Sequence, residues 1–233
     1  MPSLDRSVLE RLPTFRRMAG EDIDMLLKDA HPSRFSKNSE IFSQGEEARS
    51  FFLLISGHVR VVRTSAQGDK VIVRHINEGE LMGIAIAMER AVYPASAIAI
   101  VECLVLNWPN SAWPSLKSKV PGFGTAVYRT IGQRFQETHD RVLEMASEQV
   151  EQRVARAMLR LMNEAGRQTA DGMEIDFPIT RQEIAEMAGT TLHMVSRLLS
   201  VWKDQGLVRG ARQKIVISNP HGLMRVAERH RDE

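Results

Sequence analysis

Residues 179–208 read ITRQEIAEMAGTTLHMVSRLLSVWKDQGLV, and this stretch decides how the chain is interpreted. Thr180 stands where a helix N-cap belongs, with Glu183 three residues on, the spacing of a capping box. Ile184, Ala185, Met187 and Ala188 give a short apolar face, and Gly189 offers a left-handed stop at little cost. Thr190 or Thr191 can cap a second helix, in which Val195, Leu198, Leu199 and Trp202 form a core-facing stripe. The opposite face carries Thr191, His193, Ser196 and Arg197. Short polar groups ending in a guanidinium suit a helix that reads base edges in a major groove.

Two short helices around a glycine often only pack a core. Here a hairpin follows at once, with residues 207–209 and 214–217 flanking a tip at 210–213. From Met187 to Ile217 the cations are Arg197, Lys203, Arg209, Arg212 and Lys214, against the single acid Asp204. The pattern predicts a winged helix-turn-helix that binds double-stranded DNA. Thr191, His193, Ser196 and Arg197 are the base-reading candidates, Arg197 as a bidentate partner for guanine. Arg181, Gln182, Arg209, Arg212 and Lys214 are the phosphate candidates, which position the protein and make affinity fall with salt.

The whole chain has 233 residues, 43% of them hydrophobic, enough for two domains with real cores. Its net charge of +2 means that nucleic-acid affinity must come from a local patch. One cysteine, Cys103, excludes an intramolecular disulfide, a cysteine-ligated iron–sulfur cluster and a cysteine-built zinc site within one subunit. The first residues, MPSLDRSVLERL, mix charges with apolar groups and show no signal-peptide core, and no window approaches the ~18 apolar residues of a membrane span. The expected setting is the cytoplasm, without a membrane.

Residues 3–29 show helical spacing on Leu9, Leu12, Phe15, Ile23, Leu26 and Leu27. From 33 to 111 the texture is short β-type runs, at 39–42, 50–55, 58–63, 70–76 and 97–101, punctuated by Gly45, Gly57, Gly68, Gly79 and Gly83. Such runs predict a sandwich or barrel, with a hairpin tip at 66–69. After Pro121, Tyr128, Ile131, Phe135, Thr138, Val142 and Met145 recur at intervals of 3, 4, 3, 4 and 3, a heptad seam. A helix lying on the β-domain could carry the same stripe; the sustained period favours a parallel pair. Tyr128, Ile131, Phe135, Val142 and Met145 are therefore the expected dimer contacts. A homodimer would bring two reading helices about 34 Å apart, as a palindrome requires.

This order resembles the catabolite activator/fumarate–nitrate regulator (CRP/FNR) superfamily over essentially the whole chain, most specifically at residues 179–184, at Val195-Ser196-Arg197, and at the glycine-spaced segments 51–57 and 79–83. The resemblance implies an α+β fold: an N-terminal helix and double-stranded β-roll effector domain (1–119), a dimerisation helix (120–147) and a C-terminal winged helix-turn-helix domain (148–233). It also implies a homodimer that recruits or blocks RNA polymerase, with an effector held between roll and long helix. In the cyclic-AMP branch a Glu binds the ribose and an Arg-Ser pair binds the phosphate; Ile84, Pro94 and Ala95 stand there in this chain. Pro94 offers no guanidinium, which argues against cyclic AMP. Many members have a Glu where His193 stands, so the half-site is expected to resemble TTG with relaxed preference just inside it.

The expected effector pocket is apolar: Leu81, Met82, Ile84, Ile86, Met88, Tyr93 and Phe135, with Thr138 and His139 at the same level of the long helix. Residues 93–97 (YPASA) and the missing cysteine cluster look like the branch that responds to nitrogen oxides in denitrification, the NnrR/Dnr-like regulators, thought to sense nitric oxide through haem. His139 is the first candidate axial ligand. Met82, Cys103, His58 and His75 stand behind it; each also reads as an ordinary helix, strand or core residue. An unidentified small ligand, or none, is the alternative. A cupin-like metal enzyme would need more than His58, His75, Glu78 and Glu80, and no phosphate loop or nucleophile elbow occurs, so the chain reads as a non-enzyme.

Overall fold

The computed structural model describes residues 6–12, 14–16, 18–211 and 213–228, so Arg212 lies outside the described residues. The chain divides into two compact units between Glu137 and Thr138.

The first unit opens with helices α1 (Arg6–Glu10) and α2 (Gly20–Lys28). Eight strands follow: β1 (His31–Phe35), β2 (Glu40–Phe42), β3 (Ser50–Ser56), β4 (Val59–Thr64), β5 (Lys70–Ile76), β6 (Leu81–Met82), β7 (Ser96–Ala99) and β8 (Cys103–Pro109). They form two four-stranded antiparallel sheets, in the orders β1-β8-β3-β6 and β2-β7-β4-β5. The run FFLLI in β3 is apolar throughout because both its faces are covered. Phe52 and Leu54 join Ile41, Phe42, Val59, Ile76 and Ala97 between the sheets. Phe51, Leu53 and Ile55 pack outward with Trp108 of β8, the N-terminal helices, α3 (Trp113–Lys119) and the start of α4 (Pro121–Ser147). Phe51 and Trp108 stack at 5.4 Å, and the Trp108 indole donates to the Leu26 carbonyl at 2.8 Å.

The expected tip at 66–69 is the β4–β5 turn, closed by Ser65 N–H on the Asp69 carbonyl at 2.8 Å. Five of these eight strands coincide with the expected β-type runs, and β1, β6 and β8 lie outside them. The long helix runs over 27 residues, roughly 40 Å, and the division between units falls inside it.

The second unit begins at Thr138. After α4 come α5 (Val150–Ala165), β9 (Gly166–Thr169), β10 (Gly172–Ile175), α6 (Arg181–Ala188), α7 (Leu192–Asp204), β11 (Val208–Ala211), β12 (Lys214–Ile217) and α8 (Pro220–Glu228). The strands form one antiparallel sheet, β11-β12-β10-β9. The core comprises Val154, Met158, Leu161, Ile184, Val195, Trp202 and Leu223, all essentially inaccessible.

Candidate nucleic-acid interface and ligand cavity

The turn between α6 and α7 follows the local grammar of its residues. Thr180 Oγ1 accepts from the Glu183 N–H at 3.1 Å, and the Glu183 carboxylate accepts from the Thr180 N–H at 2.7 Å. Gly189 takes φ +60°, and a Cβ there would meet the Met145 methyl at 3.0 Å. Thr191, not Thr190, caps α7, accepting from Met194 N–H at 3.3 Å. The α6 C-terminus has a support that local reading missed. Arg153 donates to the carbonyls of Ala188 (3.0 Å) and Gly189 (3.4 Å), and Arg141 donates to that of Met187 (2.7 Å). Cations at a helix C-terminus offset both the orphan carbonyls and the dipole.

On α7, Val195, Leu198, Leu199 and Trp202 are buried while Thr191, His193 and Arg197 are exposed and Ser196 is half-buried. Arg197 rests its Nη2 3.3 Å from the Met194 sulfur, a weak tether that leaves the guanidinium at the surface. Beside this helix a groove of about 440 Å³ brings together Arg181, Gln182, Arg209 and Lys214 from α6 and the wing. Lys203 joins them, a cation that sequence reasoning did not assign to the phosphates. The wing cations are not bare: Arg209 pairs with Asp171 at 3.2 Å and Lys214 with Glu174 at 3.1 Å, both acids from the β9–β10 hairpin. Gln182 donates to Glu186 at 3.1 Å.

Along α4, Phe135, Val142 and Met145 are exposed, and so is Leu143, which the heptad reading passed over. Tyr128 is 46% exposed but packs edge-on to Trp113. Ile131 departs from expectation: it is partly buried against the roll's outer core.

The roll holds a cavity of about 80 Å³ lined by Met82, Ile84, Met88, Tyr93, Pro94 and Ala95, as expected, together with Phe42, Val61 and Ile76. Two expectations need correcting. Leu81 and Ile86 belong to the other core, and Phe135 is 70% exposed, so none of the three lines the cavity. Nor is the lining apolar throughout, because Arg74 of β5 and Arg134 of α4 contribute to it. Arg134 donates to the Leu81 carbonyl, and Arg74 lies 3.3 Å from Glu137 and 3.9 Å from Glu80. Burial, then the neighbouring Arg74, pulls the Arg134 pKa down to about 10; burial pushes the Glu80 carboxyl up. Tyr93 has its hydroxyl committed to the Ser50 backbone, donating at 2.6 Å and accepting at 3.1 Å.

Haem does not fit these residues. Its plane needs a cleft several times 80 Å³. Thr138 and His139 are exposed residues of the second unit. Cys103 is buried with its thiol on the carbonyls of His58 and Val101, and burial pushes its pKa up. His58 faces Asn77 at 3.1 Å and His75 is 3% exposed. Of the candidates only the Met82 thioether borders the cavity. No group of three or more metal-binding side chains exists among the described residues.

Two family descriptions match in the order seen in the fold: a cyclic nucleotide-binding domain at 32–119 and a Crp-like helix-turn-helix domain at 152–226. The chain is a CRP/FNR-family transcriptional regulator. Regulators of this family bind DNA and act as dimers. The CRP-like cAMP-activated global transcriptional regulator of Mycobacterium tuberculosis is 23% identical over 220 residues, covering 94% of this chain and 98% of that protein. The cyclic AMP receptor protein of Thermus thermophilus is 27% identical over 197 residues, covering 84% and 88%. Among solved structures, FixK2 from Bradyrhizobium japonicum has the same fold, with a TM-score of 0.75 at 21% identity, over 86% of this chain and 98% of that one. No helix among the described residues is long and apolar enough to cross a membrane. The relatives are regulators rather than enzymes.

Proposed function

We propose that this CRP/FNR regulator works in the cytoplasm as a homodimer on palindromic DNA with TTG-like half-sites. It recruits or blocks RNA polymerase and answers to an effector other than cyclic AMP. The observation that carries the DNA reading is α7, which buries Val195, Leu198, Leu199 and Trp202 while Arg197 and His193 stay exposed beside a groove lined by Arg181, Gln182, Arg209 and Lys214. Arg197 reads guanine, Ser196 a neighbouring base, and His193 lacks the carboxylate that would accept from cytosine N4. Two relatives are cAMP-activated or cAMP receptors by name, but Ile84, Pro94 and Ala95 stand where that branch carries its ribose-binding Glu and phosphate-binding Arg-Ser pair, and the guanidiniums of this cavity come from Arg74 and Arg134 instead. Nitric oxide through haem has no described ligand set behind it, and the effector is better sought among small molecules that fit the roll. A gel shift on a TTG-N8-CAA duplex tests the DNA reading. Retardation at concentrations that leave a scrambled duplex free supports it; a selected half-site fixed as TTGAT or TGTGA would overturn the base assignments.

A further inference from the structure

We infer that the roll cavity is a site for a small oxyanion or short-chain carboxylate, held by Arg74 of β5 and Arg134 of α4. The inference rests on reading the roll as the effector domain. Two guanidiniums line one cavity of about 80 Å³, a volume that roughly two to three waters would fill. Drug- or nucleotide-sized ligands occupy clefts of about 300–1,000 Å³, so size selects a small occupant. Arg74 engages the Glu137 carboxylate at 3.3 Å, yet its Nε is buried without a hydrogen-bond partner. A guanidinium carries five donors in a fixed fork, so donors remain on Arg74 for a second acceptor.

Charge points the same way. Setting two guanidiniums together away from water is costly unless acceptors neutralise both. Around Arg74 the acids do so incompletely. Glu137 has a side chain 55% exposed and is screened by solvent, and Glu80 stands off from Arg74 at 3.9 Å. An oxyanion supplies the counter-charge and matches the planar fork of Arg74. Met82, Ile84, Pro94 and Ala95 wall the rest of the space, which suits the carbon end of an acetate-like molecule. Arg74 belongs to the roll and Arg134 to the long helix, so an anion shared between them favours the arrangement in which helix and roll are joined, and shifts the population by its preference for that state.

The test uses the full chain, with thermal melts in sodium nitrate, sodium acetate and sodium succinate, each against sodium chloride at matched ionic strength. A saturable rise of the midpoint with at least one of them is expected. A response to nitrate alone marks an inorganic oxyanion, and a response to acetate or succinate marks a carboxylate. The rise should vanish in Arg74→Gln. Should that variant fail to fold, Arg74→Lys keeps the charge without the fork and should weaken the response at least about tenfold. Midpoints that track chloride for all three salts, or a saturable rise that survives both substitutions, would overturn the inference. The gel shift on unmodified protein reads the DNA assignment separately, so either can fail alone.

Discussion

Arg153 reaches the carbonyls of Ala188 and Gly189 from a residue 35 and 36 positions away, and its Nη1 also donates to the Glu148 carbonyl at 2.8 Å. A half-buried guanidinium with three backbone acceptors is worth more than its surface exposure suggests, because removing it strands acceptors at a helix end. Arg153→Ala should lower the stability of the DNA-binding unit by about 1.5–3 kcal/mol, read as a lower urea midpoint at unchanged m-value. An unchanged midpoint would show that water serves these carbonyls equally well. Thr180, Glu183 and Gly189 were legible because caps and left-handed stops act within four residues. Arg153, Arg74 and Arg134 were not, because their partners are set by packing between elements distant in sequence.

Elements were legible where their pattern was one-sided. The second helix of the turn showed its stripe plainly, and β4 buries Val59 and Val62 while Arg63 is exposed, the irregularity between Val61 and Val62 shifting its alternation by one residue. The strand β8 (CLVLNWP) was overlooked because it is covered on both faces and shows no alternation. The long helix was half legible. Its seam was read from spacing, but Ile131 turns to the roll's outer core, and Leu143 adds itself to the exposed set. Phe135 at 70%, Val142 at 63% and Leu143 at 56% exposure leave apolar surface that one chain does not bury. A second copy of the helix, with the same stripe in register, is the partner expected of a heptad seam. The double substitution Phe135→Asp and Val142→Asp places carboxylates opposite their own copies. It should shift sedimentation from dimer to monomer while the circular dichroism of the folded units persists. A variant that remains dimeric would move the interface elsewhere.

For the molecule as a whole, affinity and specificity should separate along the two sets of residues. If Arg197 reads guanine as proposed, Arg197→Ala should cost about 1–3 kcal/mol of discrimination per half-site and leave the dimer intact. Competition between TTG-N8-CAA and a scrambled duplex, alongside sedimentation, measures both; loss of the dimer would contradict the assignment. The wing makes the opposite prediction. Arg209 is held by Asp171, and the two side chains are 63% and 67% exposed, so the pair is a weak one that a phosphate can displace. Displacement still sets free an acid close to the DNA backbone, where its charge repels. Asp171→Asn removes that repulsion and releases Arg209. Affinity should rise by up to about fivefold, the factor that matches the ~0–1 kcal/mol of an exposed pair. Because phosphates carry no sequence, the gain should be the same on the palindrome and on scrambled DNA, and the salt dependence of binding should steepen. A gain confined to the palindrome would mean that Arg209 reads bases, and the division between reading helix and positioning wing would have to be redrawn.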